Sequence, residues 1–212
     1  MIKYLMLFLI FPLIASANVE EIVSKIKEHY ANFESFNADF EQNFYHKAYK
    51  KNKKSKGTVS FKKELKMKWS YNEPERKYII SNGDTLWIYE PENEQVIKSN
   101  VKGSELNNAA KVLFGKEDLF KEYNVELEKA VPKYGKTALN LTPKSKDAAY
   151  KKIVLYLNEN YDLTATDMID GFDNINTIVY KNIVKNQLIN DIFFNFTIPE
   201  GVEVIEQDKV NQ

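Results

Sequence analysis

The chain carries two histidines, His29 and His46, and neither stands at a spacing that ligates a metal or pairs with a nucleophile. Its seven glycines are scattered singly, so there is no phosphate-cradling loop, no dinucleotide fingerprint and no Gly-x-Ser-x-Gly elbow. The neighbouring carboxylates Glu20-Glu21 and Glu73 with Glu75 fall at an expected helix start and an expected turn, where solvation accounts for them. No catalytic residue, metal ligand or cofactor is expected. The remaining chemistry is apolar and cationic. Val59 with Phe61, Met67 with Trp69, and Phe194 with Phe196 each recur at period two, which puts both members of a pair on one strand face. A small closed barrel uses such faces simply as core. The cationic feature is a tract containing Lys47, Lys50, Lys51, Lys53, Lys54 and Lys56. Its self-repulsion predicts an exposed, solvated hairpin loop, and attraction to anionic lipid headgroups or an acidic partner surface is its functional alternative.

These residues need elements to position them. Val19, Ile22, Val23, Ile26, Tyr30 and Phe33 recur at helical spacing after Asn18, with Glu21 three residues on, so an amphipathic helix with a capping-box start is predicted over 19–33. Phe36, Ala38, Phe40, Gln42 and Phe44 alternate with polar neighbours and predict a strand. A meander follows near 57–62, 66–71, 77–81 and 84–90, with Asn82-Gly83 as a tight hairpin turn in which both residues tolerate positive φ. The pattern turns helical from Leu106 to Gly115, with a further turn to Tyr123, then returns to strands over 124–128, 138–142, 152–158, 164–169, 176–183 and 192–198. Long β sequence with two or three helices predicts an incomplete antiparallel barrel covered on one face by helices, in one domain spanning 18–212.

Met1-Ile2-Lys3, the apolar run Tyr4–Ile14 and the small residues Ala15-Ser16-Ala17 read as a cleaved secretory signal peptide over 1–17. Eleven apolar residues rise only about 16 Å as a helix, too short for a hydrocarbon core of about 30 Å. The chain has no Cys, so stability must come from its core. Thirty Lys plus Arg balance thirty Asp plus Glu, which argues against nucleic-acid binding, while thirteen Phe and thirteen Tyr supply rings for a core or apolar cavity.

The run from Gly57 to Gln95 resembles the outer-membrane lipoprotein carrier protein family. The resemblance rests on Gly57 followed by Val59 and Phe61, on Met67-Lys68-Trp69, on Ser81-Asn82-Gly83, and on Thr85-Leu86-Trp87-Ile88-Tyr89 with Pro91 and Glu94-Gln95. Phe40-Glu41-Gln42, Leu141-Thr142-Pro143-Lys144 and Phe194-Asn195-Phe196 extend it over nearly the whole chain. It implies an unclosed antiparallel β-barrel, a half-barrel, with helices forming a lid over an apolar cavity. The positions matching Met67 and Trp69 line that cavity in the family, and the expected wall is Val59, Phe61, Met67, Trp69, Ile79, Leu86, Ile88, Phe194 and Phe196. An Arg-Pro pair of the family that holds the lid corresponds to Lys63-Glu64, which makes Lys63 the expected lid latch, without the planar fork of Arg. The implied function is that of a monomeric periplasmic chaperone. It takes acylated lipoproteins from an inner-membrane ABC-type releasing complex and passes them to an outer-membrane acceptor. The alternatives are a half-barrel carrier of another amphiphile, such as a glycolipid, and a periplasmic lipid or protein sensor.

Overall fold

The computed structural model describes residues 18–101, 119–128, 132–146 and 148–207. The expected signal peptide and the expected helix from Leu106 to Gly115 lie outside the described residues. Helix α1 (Val19–Ala31) leads into β1 (Ser35–His46), β2 (Lys51–Lys62), β3 (Lys66–Glu73), β4 (Lys77–Asn82), β5 (Thr85–Glu90) and β6 (Gln95–Asn100). The second half contributes β7 (Tyr123–Leu127), β8 (Thr137–Pro143), β9 (Tyr150–Leu157), β10 (Leu163–Asp170), β11 (Ile175–Lys185) and β12 (Glu203–Glu206).

The strands form one twelve-stranded sheet in the order β12-β6-β5-β4-β3-β2-β1-β11-β10-β9-β8-β7, with β12 and β7 as unjoined edges, so the barrel is not closed. The pairings are antiparallel except at one edge, where β12 lies parallel to β6 with Val204 opposite Val96. Two glycines fix the meander. A Cβ on Gly57 would lie 1.9 Å from the Ser70 carbonyl oxygen, so only Gly allows β2 and β3 to approach there. Gly83 has φ +104° and begins the turn from β4 to β5. Asn82 contributes its side chain and not a positive φ, as Oδ1 accepts from the backbone N–H groups of Asp84 (3.1 Å) and Thr85 (2.9 Å).

Several elements differ from expectation for identifiable reasons. The capping box at α1 is half made. Asn18 Oδ1 accepts from the Glu20 N–H, while Glu21 turns to Lys25 at 2.6 Å. The tract Lys51–Lys56 is strand and not loop, because it pairs in register with β1, Lys54 opposite Asn43 and Lys56 opposite Glu41; only 47–50 form the turn. β6 and β12, which alternation did not single out, complete one edge. The expected strand over 192–198 is absent. Asn190 caps a 3-10 turn, Asp191–Phe194, through Oδ1 accepting from the Ile192 N–H, and an extended arm follows.

Candidate functional site: the inner face of the half-barrel

Pairing places Val59 beside Trp69, Phe61 beside Met67, Trp69 beside Ile79, and Ile79 beside Ile88. Seven of the nine expected wall residues therefore share one face of the sheet, Leu86 joining through Ser81. Phe61 and Met67 are fully buried, Val59, Trp69, Ile79 and Leu86 nearly so, and Ile88 is half-buried against them. Phe36 and Phe40 of β1, Tyr71 of β3 and Tyr180 of β11 complete an aromatic cluster. Phe40 meets Trp69 and Tyr71 edge-on at 4.9 Å each, and Phe61 meets Trp69 at 5.6 Å. The second half of the sheet turns Leu139, Leu141, Leu155 and Leu157 toward the same cluster. Sequence reading noted the alternation of β1 but did not assign Phe36 and Phe40 to the site, because which face of a strand turns inward depends on strands far away in sequence.

Helix α1 lays Ile22, Ile26, Tyr30 and the following Phe33 on this face. Polar contacts pin it at one end. His29 Nε2 and Lys185 Nζ each lie 2.7 Å from Asp162 Oδ1, and the Leu163 N–H donates to the Tyr30 hydroxyl at 2.8 Å. Desolvation pushes the Asp162 carboxyl up, but hydrogen bonds from Lys185, His29 and Asn158 outweigh it and hold the group below the usual carboxylate range. His29, which reads as an ordinary helical histidine in sequence, is thus an anchor whose partner stands 133 residues away.

At the other end the apolar face runs out into a cleft of about 480 Å³ between the β1–β2 hairpin and the turns after β3 and β5. Gln42, Lys53, Arg76, Lys77 and Glu92 are among its lining groups, and Tyr71 belongs both to the cleft and to the buried cluster. Burial pushes the Tyr71 phenol up to about 12, so it stays a neutral donor. An apolar interior continuous with a charged mouth is the shape an amphiphile requires. Among the described residues no group of three or more His, Cys, Asp or Glu could hold a metal ion.

Phe194 and Phe196 do not join this face. The arm from Ile189 crosses the opposite, outer face. Lys62 Nζ donates to the Ile189 carbonyl at 2.7 Å, and Lys62 and Lys66 clamp Asp191 at 2.5 and 2.8 Å. Lys68 reaches the Phe193 ring at 4.4 Å, and Phe196 packs on Tyr89 (5.4 Å) and Trp87 (6.1 Å), which point away from Ile88. Phe194 is fully buried by the arm's packing on β3 and β4. Lys63, the expected latch, stands just beyond β2 and pairs with Glu34 Oε1 at 2.5 Å, its N–H donating to the Glu34 carbonyl. It ties the α1–β1 corner to the β2–β3 turn; most of the segment it was expected to hold, Ser104 to Tyr123, lies outside the described residues.

The model of the family described as outer membrane lipoprotein carrier protein LolA matches residues 31–197. An outer-membrane lipoprotein carrier protein of Dechloromonas aromatica is 27% identical over 198 residues, covering 93% of this chain and 92% of its own. One from Cupriavidus necator is 31% identical over 153 residues, covering 72% and 71%. The crystal structure of an uncharacterized conserved protein from Thermus thermophilus superposes with a TM-score of 0.55 at 11% identity, over 89% of this chain and 98% of that one, a likeness of fold.

Proposed function

The chain belongs to the outer membrane lipoprotein carrier protein LolA family, and on that premise we propose that it shelters the acyl chains of lipoproteins crossing the periplasm. Carriers of this family bind their cargo and catalyse nothing. Each methylene held in water costs about 0.8 kcal/mol, so two or three long acyl chains cost tens of kcal/mol and need an apolar enclosure in transit. The observation that carries the reading is the inner face. Val59, Phe61, Met67, Trp69, Ile79, Leu86 and Ile88 present one apolar wall that ends in a polar cleft at Tyr71. In this reading the acyl chains displace α1 or another cover from the wall, while the peptide and glyceryl portion stay in the charged mouth. Cargo arrives from an ABC-type releasing complex of the inner membrane and leaves to an acceptor at the outer membrane. The signal peptide over 1–17 accounts for export, and Lys63 with Glu34 holds the α1–β1 corner shut between cargoes.

The test is a pull-down of one lipoprotein in its acylated form and in a form whose acylated cysteine is replaced by serine. Binding of the acylated form alone is expected; equal binding of both would assign the protein to polypeptide recognition instead.

A further inference from the structure

The β1–β2 hairpin ends in the turn 47–50, and this turn sits against the turn between β10 and β11. The Lys47 N–H donates to Asn174 Oδ1 at 3.0 Å, and Lys47 Nζ lies 3.8 Å from Asp173. Each turn presents one large aromatic side chain to solvent: Tyr49 is 71% exposed and Phe172 is 85% exposed. Around them stand the lysines of the hairpin. Lys47, Lys53 and Lys56 pair with Asp173, Glu75 and Glu73, whereas Lys50, Lys51 and Lys54 have no ion-pair partner among the described residues. Lys151 shares Asp173 with Lys47, so that carboxylate is doubly countered.

We propose that this end of the molecule docks on an anionic phospholipid bilayer, Tyr49 and Phe172 entering the headgroup boundary and Lys50, Lys51 and Lys54 meeting lipid phosphates. Exposed aromatic rings at turn tips favour the interfacial layer, and unpaired cations are drawn to a negative surface; together they give the two weak signals that reversible membrane attachment needs. Charge selects the occupant and the end. The most exposed of the remaining large apolar residues, Leu188 (98%) and Ile192 (71%), stand just before and on the arm toward the opposite end, where Lys62 and Lys66 are taken by Asp191, Lys63 by Glu34 and Lys185 by Asp162. The charged cleft beside the wall opens at the lysine-rich end, between this hairpin and the turns after β3 and β5. Docking there brings the mouth to the lipid surface. The inference goes beyond the carrier reading and does not depend on which cargo enters.

The experiment is sedimentation with phosphatidylglycerol vesicles and with phosphatidylcholine vesicles. It uses protein purified as it accumulates in cells, its N-terminus read by mass spectrometry, and no lipoprotein is added. Wild type is expected on phosphatidylglycerol only, released by high salt. The combined variant Lys50→Glu, Lys51→Glu, Lys54→Glu is expected to lose on the order of a hundredfold in partitioning. Tyr49→Ser with Phe172→Ser should lose about tenfold at unchanged salt response, and Leu188→Ser with Ile192→Ser should bind as wild type. Failure of wild type to sediment with phosphatidylglycerol overturns the proposal and leaves an acidic protein surface as the occupant. Wild-type binding by the lysine variant, or loss on the Leu188 and Ile192 pair instead, overturns it too. None of these outcomes touches acyl-chain binding, which the lipoprotein pull-down reads separately.

Discussion

Met67 is fully buried between Phe61 and Ser81, so its side chain has no route to water. Met67→Glu would set a carboxylate there without a partner, at a cost of several kcal/mol unless it takes up a proton. Its unfolding midpoint in urea should fall and recover partly in acid, whereas Met67→Leu, nearly equal in volume, should cost less than about 1.5 kcal/mol and keep lipoprotein binding. Lys63 calls for a different expectation. Its bond to Glu34 is half-exposed, and such pairs contribute about 0–1 kcal/mol. Lys63→Ala should therefore leave stability almost unchanged, while lowering the barrier to cargo uptake if the corner is what opens. Uptake equal to wild type by Lys63→Ala and Lys63→Arg would mark Lys63 as an ordinary surface lysine. Among the residues considered first, alternation alone placed Val59, Phe61, Met67 and Trp69 on shared strand faces. It was silent on His29, whose role depends on Asp162 across the fold.

The C-terminal arm is the element whose behaviour most needs checking, since the same alternation misplaced it. Phe194-Asn195-Phe196 has the period of a strand, yet an arm lying flat across a sheet also turns alternate side chains down. Here Phe194 and Phe196 meet the outer face, on the far side of the sheet from Trp69. Phe194→Ala should cost about 3–5 kcal/mol, because the cavity opens beneath a packed arm. The arm is also held by charge. Lys62 and Lys66 lower the Asp191 carboxyl from 3.8 to about 2, so its contribution is whole above pH 3.8 and is lost as the pH falls toward 2. Acid titration followed through Trp87, which contacts Phe196, should show a transition in that window that Asp191→Asn removes. The lysine tract misled in the opposite sense. A run of like charge reads as loop, but a strand can carry it when both of its faces meet solvent and its partner offers Asn43 and Glu41.

At the scale of the whole molecule, the sheet separates two apolar faces that a sequence presents as one supply of hydrophobic residues. The inner face gathers α1 and the wall of Val59, Phe61, Met67 and Trp69, while on the outer face the arm lays Phe196 on Trp87 and Tyr89. Open antiparallel architecture was legible from strand number and turn spacing. Which apolar residues belong to which side was not, because that depends on register between strands and on where the arm returns. The two tryptophans of the chain, Trp69 and Trp87, report on the two sides separately. The most direct measurement is therefore fluorescence quenching by a lipoprotein whose acyl chains carry bromine, in Trp87→Phe protein, which keeps Trp69, and in Trp69→Phe protein, which keeps Trp87. Acyl chains held against the inner wall must quench the Trp69 emission strongly and leave the Trp87 emission nearly untouched; quenching of Trp87 alone, or of neither residue with cargo bound, would contradict the assignment of the inner face as the acyl site.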